Sequence, residues 1–245
     1  MNPWIPALFT SEVGAIEASQ PLTLVPRLRT APRAHHGREL RVREYRAKRV
    51  VDFILASGAL VVSAPVWLMI AAAIKLEDRG SVFYVQSRWG LRQQPFRVYK
   101  FRSMIVDADR KFGAVQAGRN DPRFTRVGRL LRGTSLDELP QLLNIWRGEM
   151  SWVGPRALPI NEKQQNESED LPDEAIPGFH ERCSVRPGLT GIAQVFAPRD
   201  SPRRQKFRYD LFYIKRQSLW LDLKLIAASC WISLRLRWET RGRKV

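Results

Sequence analysis

Residues 53–74 read FILASGALVVSAPVWLMIAAAI, 22 positions without a charge, and the reading of this stretch decides what kind of fold the chain adopts. At about 1.5 Å per residue, a helix of that length crosses a hydrocarbon core roughly 30 Å thick. Two features speak against simple crossing. Pro65 stands mid-run, after Ser63 and Ala64, where it removes a helical hydrogen bond and bends the axis. Positive charge also flanks both ends, with Arg46, Lys48 and Arg49 before and Lys75 and Arg79 after, whereas a spanning helix carries its excess on one side. A helix that enters the bilayer, breaks at Pro65 and returns keeps both basic ends among the same headgroups. This re-entrant, monotopic arrangement is the expectation; a kinked span is the alternative that the residues leave open.

On the N-terminal side, residues 1–45 hold Pro3, Pro6, Pro21, Pro26 and Pro32 with no sustained periodicity, the pattern of a flexible extension. The chain opens on Met1, Asn2, Pro3 and Trp4 without the basic region of an export signal, so no cleaved leader is expected. Three segments result: the extension at 1–45, a basic flank with the membrane helix at 46–80, and a larger domain at 81–245. With 245 residues, 44% hydrophobic and 27% charged, the chain can build a core, which excludes wholesale disorder and a disulfide framework. Forty-one Lys+Arg against 24 Asp+Glu leave a net charge of +17. Such a balance implies an acidic partner: nucleic acid, anionic lipid headgroups or phosphorylated substrates. Cys183 and Cys230 lie far apart with no metal-ligand spacing around them, so neither a disulfide nor a zinc site is expected and a reducing compartment fits.

Beyond Gly80 the period changes. Residues 81–86 and 95–104 read as two short strands joined by a loop containing Gly90. Residues 106–118, 126–132 and 139–146 carry helical patterns, 120–122 a turn, and 161–173 an acidic, polar stretch with no apolar period. The C-terminal part mixes Phe207, Leu211, Ile214, Trp220, Leu223, Trp231, Leu234 and Trp238 with Arg and Lys. Aromatic anchors interleaved with snorkelling cations suit amphipathic helices lying in a membrane interface; ordinary core packing is the alternative. The fold class expected is mixed, helix-rich α/β.

The chemistry concentrates at Ser135-Leu136-Asp137-Glu138. The plain reading is a capping box with Ser135 as N-cap and Glu138 at the third helical position. Pro140 opposes it, because a proline five residues into a helix deletes a real bond, and a cap nearer Asp137 avoids the loss. Either way two carboxylates sit at a helix start, where amide dipoles favour anions, phosphate included. Lys100, Arg102, Arg126, Arg129, Arg132, Arg156 and Arg186 lie near glycine or proline punctuation, as in Gly154-Pro155-Arg156 and Arg186-Pro187-Gly188. Arginine forks grip phosphate oxygens and glycine admits an anion to the backbone, so a phosphate site is expected. Its carboxylates would also hold a hard divalent ion, Mg²⁺ or Mn²⁺. His35, His36 and His180 show no ligand or triad arrangement.

In order along the chain, KFRSM (100–104), DPRFTRVGRLLR (121–132), SLDELPQL (135–142), SWVGPR (151–156), VRPGLTG (185–191) and YDLFYI (209–214) resemble the bacterial sugar transferases. These are monotopic phosphoglycosyl transferases that move a sugar 1-phosphate from a nucleotide sugar onto a polyprenyl phosphate. The likeness covers residues 49–236 and implies a catalytic domain held by a re-entrant helix to the cytoplasmic face of the bacterial inner membrane. It implies Asp137 as the nucleophile that takes sugar 1-phosphate from a UDP-sugar and releases UMP, and Glu138 as its assistant at Mg²⁺ or in proton handling. Arg132 and Arg156 would grip phosphates, Lys100 and Arg102 would help to build the site, and Asp210 would support it, while Arg186 stays among the phosphate-binding cations that the residues themselves suggest; a homodimer is compatible. Two departures stand out. Ala64-Pro65 replaces the family's frequent Ser-Pro, so a hydroxyl that firms the bend must come from Ser63. Pro155-Arg156-Ala157 replaces its frequent Pro-Arg-Pro, which loosens a turn beside the site. Glucose, galactose and N-acetylated donors all remain open. Against this stand a basic nucleic-acid-binding protein anchored at the membrane and a non-catalytic scaffold. The first lacks any helix-turn-helix, zinc-finger or RNP-type motif; the second needs no acidic pair among phosphate-binding arginines.

Overall fold

The computed structural model describes residues 46–113, 118, 121–160, 172–197 and 201–234. The N-terminal extension, most of the acidic stretch and the last part of the aromatic-basic tail, Trp238 included, lie outside them. The first element, α1 (Arg46–Asp78), holds the whole apolar run in 33 residues and continues through Pro65. The expected break is therefore absent as an interruption of the helix: the ring removes its own bond to the Val61 carbonyl and the helix resumes. Ser63 supplies the hydroxyl that the Ala64-Pro65 pair lacks, donating to the Leu60 carbonyl at 3.5 Å and accepting from Trp67 Nε1 at 3.1 Å.

One flank of α1 packs on the domain and the other is bare. Ala56 enters a core with Val98, Leu142, Ile145 and Met150, and Ile70 and Ile74 enter another with Phe101 and Leu131. Val50, Ile54, Gly58, Val61, Pro65, Leu68, Ala72 and Leu76 follow at three- or four-residue spacing and are all exposed, an uncharged stripe the length of the helix. It is the one described helix long and apolar enough to cross a membrane. Both its ends are fastened to the same body. Near the start, Arg49 caps the Ile145 and Trp146 carbonyls at 2.5 and 2.7 Å, Lys48 pairs with Asp222 at 2.5 Å, and Asp52 accepts the Trp152 amide at 3.1 Å. Near the finish, the Glu77 carboxylate accepts the amides of Arg126 and Val127 at 2.7 and 3.1 Å, and Asp78 pairs with Arg102.

β1 (Phe83–Trp89) and β2 (Pro95–Phe101) form the expected antiparallel hairpin, with Tyr84 opposite Lys100 and Arg88 opposite Phe96. The first strand starts later and runs longer than its sequence suggests. The second stops at Phe101, and Met104 bridges instead to Phe124. The helical pattern at 106–118 yields only α2 (Ala108–Phe112) among the described residues. α3 (Arg126–Thr134) is capped by Thr125, whose hydroxyl accepts from the Gly128 amide. α4 (Gln141–Arg147) follows, then β3 (Ser151–Val153), α5 (Phe179–Arg182), β4 (Gly188–Thr190), α6 (Ile192–Phe196), α7 (Arg203–Arg216) and α8 (Leu219–Leu234). β3 and β4 pair in parallel. The class is mixed, helix-rich α/β, with two small sheets among helices. On α8 the buried Leu221, Leu225, Ala228 and Ile232 face inward, and the exposed Trp220, Leu223 and Trp231 face outward, so both sides of this helix are apolar.

Candidate functional site

Asp137 and Glu138 lie on a single 3₁₀ turn, Leu136–Glu138, between α3 and α4. Ser135 does not act as an N-cap side chain. It ends α3 in the left-handed region, φ 59°, and the preceding Thr134 hydroxyl takes the Leu136 amide at 3.3 Å. Pro140 stands just ahead of α4 and deletes no helical bond. The proline that spoils a capping box thus marks a tight turn, and the turn aims the two carboxylates differently. Glu138 receives Lys100 Nζ at 2.7 Å and Arg156 Nη2 at 3.2 Å on one oxygen. Asp137 is more deeply buried, at 4% exposed, and among the described residues no donor hydrogen-bonds its carboxylate.

Electrostatics divides the pair in the same sense. Burial works against the Glu138 charge, but Lys100 and then Arg156 outweigh it and hold that carboxyl far below its usual range. Burial pushes the Asp137 carboxyl up; Lys100 opposes this, while the charge on Glu138 adds to it. Burial likewise lowers Lys100, with Glu138 pulling the other way. Glu138 is therefore the fixed anion that organises cations, and Asp137 the carboxylate whose charge is poorly stabilised and whose oxygens are uncommitted. Such a group gains most from bonding to an electrophile.

The pair opens on a cavity of about 1120 Å³ whose wall includes Lys100, Arg102, Arg132 and Arg156. Lys100 comes from β2, Arg132 from the last turn of α3, where it stacks on Phe124 with 4.5 Å to the ring centre, and Arg156 from the loop after β3. Arg102 is itself buried and tied to Asp78 at the end of α1. The same cavity reaches Ala59, Val62 and Ser63 of α1 and Ile226, Ser229 and Ser233 of α8. One space is thus bordered both by the cations around the carboxylate pair and by the two apolar helices. An arrangement of this kind suits an amphipathic substrate that carries a phosphate.

Of the other residues that the sequence singles out, Arg186 and Pro65 fall outside the cavity and Asp210 borders it. Arg186 does not border the cavity; its Nε donates to the Gly148 carbonyl at 2.7 Å, where it caps the C-terminal end of α4. Pro65 lies on the exposed stripe of α1. Asp210, buried on α7, borders the same cavity and is also tied to the Arg156 loop, accepting Arg182 Nε at 3.0 Å while Arg182 Nη2 donates to the Arg156 carbonyl at 2.5 Å. Arg88 and Arg182 both border the cavity and escape a reading of the sequence, because neither stands in a spacing that separates a buried arginine from a surface one.

Among the described residues no group of three or more His, Cys, Asp or Glu is arranged to hold a metal. Glu138 is committed to two cations, which leaves Asp137 as the free carboxylate. That set does not make an all-protein cage. It fits a Mg²⁺ or Mn²⁺ carried mainly by substrate phosphates and water with one protein carboxylate, which is how Mg²⁺ is commonly held. Of the two cysteines, Cys183 is buried, its thiol pushed up to about 11 chiefly by burial, and Cys230 is exposed at the cavity.

Comparison with known proteins gives a consistent result. Residues 43–235 match the family model described as bacterial sugar transferase. The chain is 42% identical over 184 residues to "Exopolysaccharide production protein PSS" of Rhizobium leguminosarum bv. phaseoli, covering 73% of this chain and 90% of that one. It is 42% identical over 185 residues to the "UDP-glucose:undecaprenyl-phosphate glucose-1-phosphate transferase" of Klebsiella pneumoniae, covering 73% of this chain but 38% of that one. It is 40% identical over 182 residues to the "UDP-N-acetylgalactosamine-undecaprenyl-phosphate N-acetylgalactosaminephosphotransferase" of Aeromonas hydrophila, covering 73% of this chain and 41% of that one. The chain thus spans most of the first relative and well under half of the other two.

Proposed function

The chain belongs to the bacterial sugar transferase family and is a transferase, and from that premise we propose that it moves a sugar 1-phosphate from a UDP-sugar to undecaprenyl or another polyprenyl phosphate through a phospho-aspartate at Asp137. An Asp137 oxygen attacks the phosphorus that bears the sugar, the diphosphate P–O bond breaks, and UMP leaves. A phosphate oxygen of the lipid then attacks the same phosphorus, the acyl-phosphate bond breaks, and Asp137 is restored as polyprenyl diphosphate-sugar departs. Asp137 would be the residue that holds Mg²⁺, which when bound would offset charge on the diphosphate. Glu138 keeps Lys100 and Arg156 in place, and these with Arg132 face the phosphate oxygens. The observation that carries the reading is the contrast within the pair: one carboxylate paired with two cations, its neighbour buried, with no hydrogen-bond donor among the described residues, and bordering the cavity. A covalent intermediate also lets one pocket serve two bulky substrates in turn. The product would initiate exopolysaccharide, capsule, O-antigen or glycoprotein glycan assembly. Binding of nucleic acid or a purely structural role gains no support from this site, which has no use for a committed acid beside a free one. The test is UMP release from a panel of UDP-sugars by the full chain in membranes with added polyprenyl phosphate. Release with at least one donor is expected; none with any donor refutes the reading.

We further propose that α1 is monotopic at the cytoplasmic face of the inner membrane, and that α8 lies beside it in the interface. Support comes from the fastening of both ends of α1 to one body and from the uncharged stripe between them. Anionic headgroups then meet the basic residues at either end. With Cys230 replaced by serine and Cys183 buried and unreactive, single cysteines at Ala47 and Leu76, both exposed, should react with an impermeant maleimide only from the cytoplasmic side. Reaction of the two from opposite sides excludes this topology.

A further inference from the structure

The Arg156 loop carries a feature that the family resemblance leads one not to expect. With Ala157 where a second proline often stands, the turn should be loose, yet Arg156 reaches Glu138. The backbone explains why. Four successive carbonyls from 155 to 158 each accept a hydrogen bond. The Gly188 amide reaches Pro155 O at 2.9 Å and the Trp89 amide reaches Leu158 O at 2.9 Å. Between them, Arg182 Nη2 reaches Arg156 O at 2.5 Å and Arg88 Nη1 reaches Ala157 O at 2.8 Å. The two inner bonds come from side chains, and both arginines are more than nine-tenths buried, 8% exposed for Arg88 and 4% for Arg182.

Each guanidinium is itself aimed. Gln86 Oε1 accepts from Arg88 Nε at 3.2 Å and Nη2 at 2.9 Å, two residues back on the same face of β1. Asp210 accepts from Arg182, and the Phe207 ring lies 4.6 Å beneath its guanidinium. A planar fork that is held at one edge delivers its remaining donor along a fixed line.

We propose that Arg88 and Arg182 are positioning residues that clamp the carbonyls of Ala157 and Arg156 and so set the Arg156 side chain against Glu138 and the substrate phosphates. The clamp does the work that a stiffer residue at 157 would do, and it rests on the proposed reaction only for its kinetic readout. Arg156 is half-exposed, its side chain 47% accessible, and its reach to Glu138 and the cavity depends on where its backbone is pinned. A displacement of about 1 Å at such a group costs on the order of 100-fold in rate.

The experiment is a double-mutant cycle on the full chain in membranes, with Arg88→Met, Arg156→Met and the pair, read as kcat and KM for UMP release. Arg88→Met is expected to lower kcat about 10- to 100-fold, the usual range for a residue that orients another. In the Arg156→Met background the same change should cost under about 3-fold, because the residue through which it acts is gone. Losses that multiply across the pair overturn the proposal, since Arg88 then acts on its own. Should Arg88→Met accumulate poorly, Gln86→Leu removes the acceptor that aims the guanidinium and enters the same cycle with the same two readings.

A second readout needs no turnover. Amide exchange over residues 154–160, followed by mass spectrometry of the detergent-purified chain, should quicken in Arg88→Met or Gln86→Leu and in Arg182→Lys. Unchanged exchange overturns the clamp whatever the reaction is. A parent protein that releases no UMP from any donor overturns the reaction and leaves the exchange result standing.

Discussion

Asp137→Asn is expected to abolish UMP release, by about 10⁴-fold or more, while the protein still folds and stays with the membrane. The size follows from the proposed role: a nucleophile that forms a covalent intermediate has no substitute, and its removal costs kcat on the scale seen when other covalent enzymes lose theirs. The survival of the fold follows from the geometry. No described donor bonds to the Asp137 carboxylate, burial already disfavours its charge, and asparagine has the same shape. Thermal stability should be unchanged or slightly raised. Glu138→Gln makes the instructive comparison. It strips the anion that both Lys100 and Arg156 address at 2.7 and 3.2 Å, so it should lower stability as well as turnover, a pattern that Asp137→Asn does not share. Rapid quenching of the parent enzyme with a UDP-sugar and no lipid should leave a phosphosugar adduct on the peptide containing Asp137. Activity near the parent's in Asp137→Asn, or product formed with no such adduct, refutes the assignment.

How much of this could be read without coordinates depends on which signals are local. The apolar run of α1, the hairpin of β1 and β2 and the special character of Asp137-Glu138 are written in contiguous residues, since charge depletion, alternation and a carboxylate pair ahead of a proline all act within a few positions. β3 and β4 escape notice because three-residue strands are too short to alternate. Their pairing rests on the close approach of Gly154 and Gly188, where a Cβ on Gly188 would come within 2.0 Å of the Gly154 amide nitrogen. Arginines are harder still. Arg156 and Arg186 stand beside similar glycine and proline punctuation, yet one faces Glu138 and the other caps α4. Only tertiary placement separates an arginine that meets an anion from one that meets a carbonyl, as Arg88 and Arg182 also demonstrate. The sequence likewise places bends well and their consequences less well: α1 absorbs Pro65 because one missing bond, at the exposed Val61, does not outweigh the packing on both sides of it.

The anchoring of α1 gives the second large effect. Lys48, at the start of that helix, meets Asp222 of α8 with both side chains under one-tenth exposed, and the Tyr213 hydroxyl donates to the other Asp222 oxygen at 2.7 Å. Lys48→Met should destabilise the protein by about 3–5 kcal/mol, because it strands a carboxylate where water cannot replace the lost partner. The pH dependence has a definite sign. Burial already raises the Asp222 carboxyl above its ordinary value, with Lys48 the main opposing influence, so removal of Lys48 raises it further. A carboxyl whose folded pKa exceeds its unfolded one favours the fold fully below the unfolded value and loses that contribution as pH climbs through the folded value. The deficit of Lys48→Met should therefore be largest near neutrality and shrink toward about pH 5, as urea unfolding in detergent micelles at the two pH values will report. Adding Asp222→Leu to Lys48→Met removes the stranded charge and should recover most of the loss, since a well-packed apolar pair replaces a buried ion pair at little cost. A single variant within about 0.5 kcal/mol of the parent, or a deficit that grows on acidification, would mean that this contact does not hold α1 to its domain.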